Sequence, residues 1–188
     1  MEYTGNAIYD YVYEEDLDYY FSAEHTWMLV YGNAASVPKI LVFANKVADI
    51  NDDCTAEELN ESNKALSIAR YLNLPFIFVR FMVNSEVVSV WEESVGQWRM
   101  LGYDQLRDIY ERYGVVQPGT ARKCVNQYTS SPYHDWQRSN LGRITVSDFY
   151  LIKYVDGEVK EIVELKRSKI PLDTWTPYTN DFPNFALL

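Results

Sequence analysis

Short apolar runs separated by turn residues dominate the first eighty positions of the chain. Residues 27–31 and 39–43 are almost wholly apolar, and glycine, asparagine and proline lie between them. Such runs predict two buried strands joined by a turn. Residues 76–79, Phe-Ile-Phe-Val, contain no polar position, so we expect a central strand covered on both faces, as in parallel pairs. Arg80, which follows them, is either an ion-paired strand residue or a site residue.

Two helices are indicated by their end signals. Thr55, followed three residues later by Glu58, forms a capping box, and Pro75 ends the periodic segment. The apolar stripe of this first helix consists of Leu59, Leu66, Ala69 and Leu72. A second helix is predicted from Asp104 as N-cap to Gly114 just past its end. The residues on its apolar face are Leu106, Ile109, Tyr110 and Tyr113.

The last third of the chain combines a stretch without periodicity and a strong hairpin pattern. Residues 115–140 contain Pro-Gly and Ser-Ser-Pro turns, so we expect a long connecting loop with His134 on its surface. Residues 144–154 then predict one strand, residues 155–157 a turn and residues 159–167 the returning strand.

No clean domain boundary interrupts this order, so we expect a single domain over residues 1–188. Its predicted layout is a helix and strand layer in residues 1–120, a loop in 121–140, and a hairpin with a tail in 141–188. The expected fold class is α/β in the α+β sense, with a mixed, largely antiparallel sheet and flanking helices.

Three charged residues in the hairpin are unusual for a sheet core. Glu164 and Lys166 flank Leu165 and share one face of the returning strand, directly after two β-branched residues. Asp148 lies in the otherwise apolar first strand. These residues are therefore candidates for a site rather than for packing; the alternative is a solvent-facing row of cross-strand ion pairs.

The length of the turn decides whether these charges meet. In a two-residue turn Asp148 lies opposite Leu165, and Glu164 points to the other face. In a three-residue turn over residues 155–157, Asp148 lies opposite Glu164, with about 5 Å between the Cβ atoms. The Asp-Gly placement favours the second turn. Two carboxylates at that distance repel unless a proton or cation lies between them, and hard oxygen ligands suit Mg²⁺.

Asp148 and, sixteen positions later, Glu164-Leu165-Lys166 together resemble the PD-(D/E)xK nuclease superfamily, whose core is the restriction-endonuclease-like fold. The resemblance implies a Mg²⁺- or Mn²⁺-dependent endonuclease that hydrolyses phosphodiester bonds. In that family Asp148 and Glu164 would be metal ligands, the Leu165 carbonyl would complete the coordination, and Lys166 would position the attacking water.

The order of elements differs from that family. The helix predicted from Thr55 and the strand after Pro75 look like the helix and strand that normally follow the Glu-x-Lys segment, but here they precede it. Either the order is permuted, or the N-terminal half is a related, duplicated layer. Gln137 and Glu111 are further candidates for a site residue on an upstream helix.

Charge and composition restrict the partners. The 188 residues carry a formal net charge of −10, which excludes a uniformly basic nucleic-acid-binding surface. The negative excess lies in residues 1–120, which hold 8 Lys and Arg against 19 Asp and Glu. Nucleic acid, with DNA favoured over RNA, is therefore expected near the C-terminal hairpin. The candidate phosphate-contacting residues are Arg138, Arg143, Arg167 and Lys169.

Two alternative functions stay open. The tyrosine-rich, acidic residues 9–20 are compatible with a mimic of the DNA phosphate surface, which would make the protein a non-enzymatic inhibitor. The chain is also compatible with a nuclease-like fold that has lost activity and serves as an assembly module. With two isolated cysteines, no signal-peptide pattern and no long apolar segment, we expect a cytoplasmic protein that does not interact with membranes. A homodimer formed through the C-terminal tail is a further expectation.

Overall fold

The computed structural model describes residues 19–21, 25–119, 131–149, 151–156, 158–163 and 182–186, together with residues 174, 176 and 179. The strands are β1 (Tyr19–Phe21), β2 (Thr26–Gly32), β3 (Pro38–Lys46), β4 (Phe76–Phe81), β5 (Val87–Glu92), β6 (Trp98–Gly102), β7 (Thr145–Phe149), β8 (Leu151–Val155) and β9 (Glu158–Val163). The helices are α1 (Ala56–Tyr71), α2 (Tyr103–Arg112), α3 (Pro132–Asn140) and the short α4 (Phe182–Phe185).

A mixed six-stranded sheet forms the centre of the fold, in the order β6-β5-β4-β3-β2-β7. Strands β3 and β4 are parallel, and the other pairs in this sheet are antiparallel. All six residues of β4 are buried, as expected for a central strand with a helix-covered parallel neighbour. The predicted α+β class with a mixed sheet and flanking helices is therefore confirmed.

The two faces of this sheet carry separate apolar cores. Helices α2 and α3 cover one face, where their side chains pack on alternate residues of β2 to β5 such as Leu29, Val79 and Val90. Helix α1 covers the other face together with a small three-stranded sheet in the order β1-β8-β9. Ile152 and Val159 carry this small sheet into the second core. The C-terminal hairpin is thus packed on the large sheet.

Helix α1 begins at the predicted capping box. The Thr55 hydroxyl accepts a hydrogen bond from the Glu58 backbone N–H, and the Glu58 carboxylate accepts one from the Thr55 N–H. The predicted stripe is wrong at Leu59, which is 46% exposed, whereas Ala65 and Ile68 are buried. The inner face is displaced because the buried Glu58 takes part in an ion pair with the sheet.

Several element boundaries differ from the sequence expectations. Helix α2 begins at Tyr103 with Gly102 as N-cap, not with Asp104 as N-cap, and Gly114 follows its end with a φ of +74°. Strand β6 was absent from the predictions. The predicted loop over residues 121–140 is also wrong in its second half, because Ser131 caps α3 there and Pro132 occupies its first turn.

The single strand predicted over residues 144–154 is two strands in two different sheets. Strand β7 pairs with β2 in the large sheet, and β8 pairs with β1 and β9 in the small one. The expected three-residue turn is also wrong, because Val155 lies opposite Glu158 across a two-residue turn. Asp156 has a φ of +54°, which suits the tight hairpin turns that favour Asp-Gly.

No helix in the described part of the chain is long and apolar enough to cross a bilayer.

Candidate functional site

Asp148 lies in β7, the edge strand of the large sheet next to β2. Its partner across the ladder is Leu29, and Val146, two residues earlier on the same face, lies opposite Tyr31. Leu29 and Tyr31 belong to the core beneath α2 and α3, with Val146 packed against it. The half-buried Asp148 carboxylate therefore projects to the side of the sheet that α3 covers.

His134 on α3 is one of the ionisable residues whose pKa this carboxylate influences. Its Nδ1 lies 2.7 Å from the Ser131 hydroxyl, and its ring makes an edge contact with Trp27 at 5.2 Å between centroids. Burial lowers the pKa of His134 below its usual 6.5, and the negative charge of Asp148 partly offsets that shift. His134 is therefore a neutral imidazole at neutral pH.

A buried cluster of phenol groups holds α3 against the sheet. The Tyr31 hydroxyl donates to the Gln137 side-chain oxygen and lies 3.3 Å from the Tyr133 hydroxyl, which also hydrogen bonds to Tyr110. All three tyrosines are fully buried. Burial raises the pKa of Tyr133 to about 12, so the cluster is neutral and can exchange hydrogen bonds among its own members.

The cluster matters for the site because it joins three elements around Asp148. Tyr31 comes from β2, Tyr110 from α2, and Tyr133 with Gln137 from α3. The Asp148 charge contributes to the raised pKa of Tyr31, after burial and the neighbouring Tyr133. Fixed packing of α3 on β2 thus sets where His134 lies relative to Asp148.

The other predicted site residues fall into three groups. Arg138 is half-buried in the last turn of α3, and Arg143 is exposed in the connection from α3 to β7. Gln137 is buried in the tyrosine cluster, whereas Glu111 is exposed on α2 in an ion pair with Arg107. The remaining predicted residues, which lie outside the described part of the chain, are Glu164, Leu165, Lys166, Arg167 and Lys169.

The structure changes the predicted surroundings of Asp148. Its cross-strand partner is Leu29 of β2, because β7 belongs to the large sheet and not to the hairpin. The hairpin register is described as far as Val163, which lies opposite Leu151. Direct pairing of Asp148 with Glu164 across one hairpin is therefore not the arrangement that β7 adopts.

Arg80 is an ion-paired strand residue. Its guanidinium donates to the Glu58 carboxylate at 3.1 Å and to the Asp52 carbonyl at 2.6 Å. The Asn45 side-chain amide donates to the same Glu58 oxygen at 2.7 Å. Arg80 is 4% exposed, so this cluster ties the capped start of α1 to the ends of the parallel strands β3 and β4.

Within the described ranges, no group of three or more histidine, cysteine or carboxylate side chains is placed to hold a metal ion. Asp148 supplies one carboxylate, and its donor chemistry suits a hard cation such as Mg²⁺. The sequence expectation missed the contribution of His134, although Ser131-Pro132 is a readable helix start that would have placed this histidine on α3.

Comparisons with known proteins identify no relative: no family model matches the chain, and no curated protein or solved structure matches it.

Proposed function

We propose that this protein is a metal-dependent endonuclease that hydrolyses phosphodiester bonds of DNA or RNA, acting in the cytoplasm. The observation that supports the proposal best is a half-buried carboxylate, Asp148, on β7, an edge strand of the mixed sheet, facing the core beneath α3. The negative charge of this carboxylate contributes to the pKa of both His134 and Tyr31, so it acts on the buried side chains of α3 and β2.

The chain path supports the second part of the site. Asp148 precedes Leu151 by three residues, and Leu151 lies opposite Val163. Glu164 is the next residue in the sequence after Val163. Because Asp148 is three residues from one member of this cross-strand pair and Glu164 is one residue from the other, we take Glu164-Leu165-Lys166 as the partner segment of Asp148.

Each proposed residue has a defined role. The Asp148 and Glu164 carboxylates and the Leu165 carbonyl would hold Mg²⁺ or Mn²⁺, which are cations that prefer oxygen ligands. When bound, such a cation lowers the pKa of a water molecule and stabilises charge on the phosphoryl oxygens. The Lys166 ammonium would orient that water for attack.

The environment of Asp148 favours a cation at this carboxylate. An imidazolium beside Asp148 would compete with the metal for its negative charge, but burial keeps His134 neutral by lowering its pKa. Arg138 and Arg143 lie on the segments just before β7, and they would contact the phosphates on either side of the cleaved bond.

The experiment is a plasmid-nicking assay with Mg²⁺ and with Mn²⁺, run alongside thermal melting. Asp148→Asn is compared with Asp156→Asn, which makes the same change at an exposed carboxylate in the hairpin turn. We expect Asp148→Asn and Lys166→Ala to lower the nicking rate at least about a hundredfold, and Asp156→Asn to leave it unchanged.

Melting separates metal binding from catalysis. Mg²⁺ should raise the melting temperature of the wild type and of Asp156→Asn but not of Asp148→Asn. If Mg²⁺ stabilises Asp148→Asn as much as the wild type, Asp148 is not a metal ligand and the proposed site is wrong. Metal binding at Asp148 without nicking of DNA or cleavage of RNA would instead favour the inactive, nuclease-like assembly module.

A further inference from the structure

Strand β6 forms the edge of the large sheet opposite to β7. In the described part of the chain no strand pairs with its outer side. The outward N–H and C=O groups of such an edge can pair with a further strand. Lysine or proline residues on an edge strand commonly prevent it from pairing with a strand of another molecule. Strand β6, Trp98–Gly102, contains neither residue type. Its one charged residue, Arg99, forms an ion pair with Glu92 of β5 in the same chain.

An exposed apolar row accompanies this open edge. Met100 is 49% exposed, Trp98 is 40% exposed and Val87 of the neighbouring strand is 38% exposed. The ladder register places all three on one face, because Val87 lies opposite Gly102 and Trp98 and Met100 follow at two-residue steps. The row continues into a groove of about 240 Å³ beside α1, whose lining includes Leu59, Trp91 and Trp98.

We propose that a second copy of this chain pairs with the outer edge of β6, with β6 antiparallel to itself about a two-fold axis at Met100. A symmetric interface must be self-complementary, and this five-residue strand satisfies that condition. Met100 meets Met100 of the second copy, while Trp98, the bulkiest residue of the strand, lies opposite Gly102, which has no side chain. The two six-stranded sheets then join into one continuous sheet.

The size of the surface sets the expected strength. Three partly exposed apolar side chains present roughly 200–300 Å² per copy, at the lower end of the largest patches on soluble monomers. Stable dimers commonly bury about 800 Å² per partner, so backbone pairing must supply much of the contact. We therefore expect a reversible dimer that dissociates in the micromolar range. This inference is independent of the proposed nuclease activity.

The first experiment is sedimentation velocity of the full chain from sub-micromolar to high micromolar concentration. The mass should rise from 22.0 kDa towards twice that value. Met100→Lys brings two ammonium groups together at the axis and should leave only monomer. Val37→Lys is the matched control, since Val37 is 46% exposed but lies in the β2–β3 turn, and it should dimerise as the wild type does.

Cysteine cross-linking tests the register. Residues that face each other across antiparallel strands have Cα atoms about 5 Å apart, which a disulfide spans. Met100→Cys should therefore form a covalent dimer on mild oxidation, well above the wild-type background, and Leu101→Cys should not, since Leu101 lies opposite Arg99 of the other copy. A wild type that stays monomeric overturns the proposal. A dimer that survives Met100→Lys overturns it as well, and assigns dimerisation to another surface such as the C-terminal tail.

Discussion

Replacing Glu58 by glutamine removes the negative charge from the most deeply buried ion pair that joins α1 to the sheet. The Glu58 carboxylate accepts hydrogen bonds from Arg80, from Asn45 and from the Thr55 backbone N–H. Glutamine has nearly the same volume, so no cavity forms. Its amide group, however, presents N–H donors where the protein already supplies donors, and the Arg80 guanidinium remains buried without a counter-charge.

The expected loss follows from burial. Side-chain exposure is 5% for Arg80 and 11% for Glu58, so solvent screens the pair weakly. Removing one partner of such a pair costs about 3–5 kcal/mol in the free energy of unfolding. For a chain of this size we expect a fall of about 10 °C in melting temperature. The control is Glu57→Gln on the exposed side of the same helical turn, which should cost at most about 1 kcal/mol.

Chemical denaturation of Glu58→Gln, Glu57→Gln and the wild type measures these losses directly. A double-mutant cycle with Arg80→Met adds a second check, since residues of one ion pair should show a coupling of about 1–3 kcal/mol. Equal losses for Glu58→Gln and Glu57→Gln would refute the reasoning, because the buried carboxylate would then contribute no more than an exposed one. Additive losses in the cycle would show that Glu58 and Arg80 do not stabilise each other.

Two further predictions concern the segment that leads into the candidate site. Gly142 has a φ of +73°, and a Cβ there would lie 1.7 Å from the Gln117 backbone oxygen, whereas Gly96 has a φ of +71° and open space around it. Gly96→Ala should therefore cost about 1 kcal/mol in denaturant unfolding and Gly142→Ala more than about 3 kcal/mol; equal losses would show that the close approach does not matter. Burial lowers the pKa of His134 in the folded state. The stabilisation from its neutral imidazole is therefore fully present above the unfolded-state pKa near 6.5, and it is lost as the pH falls towards the lower folded-state pKa. Asp148→Asn should lower the His134 pKa further in an NMR titration, and an unchanged or higher pKa would contradict the placement of that carboxylate.

Local signals were sufficient for the elements around the parallel pair. The capping box at Thr55 predicts the start of α1, and the apolar run of residues 76–79 predicts a central strand. The inner face of α1 could not be predicted, because it carries Glu58, whose partner Arg80 lies 22 residues further along the chain. A pattern of apolar positions cannot detect a buried charge that depends on a distant partner.

Strand β7 and helix α3 show a different limit. Residues 144–154 have the β-branched residues and the alternating pattern of one continuous strand. The break before β8 arises because β7 pairs with β2 of the large sheet, whereas β8 pairs with β1 of the small one. Helix α3 is mostly polar, and two of its buried residues are Tyr133 and Gln137. Their burial is possible because hydroxyl groups from two other elements satisfy them, which is tertiary information that no local window contains.

The distribution of ion pairs bears on the objection that a net charge of −10 raises against nucleic-acid binding. In residues 25–119 most basic side chains are already paired with carboxylates, so they neutralise their own layer and leave its surface acidic; those side chains are Lys64, Arg70, Arg80, Arg99, Arg107 and Arg112. In contrast, Arg138 and Arg143, which both precede β7 in the chain, make no ion pair within the described ranges. Cations that are not paired internally can bind phosphates without first breaking an ion pair. A polyanion should therefore approach from the side of α3 and β7, and this is the side on which Asp148 lies.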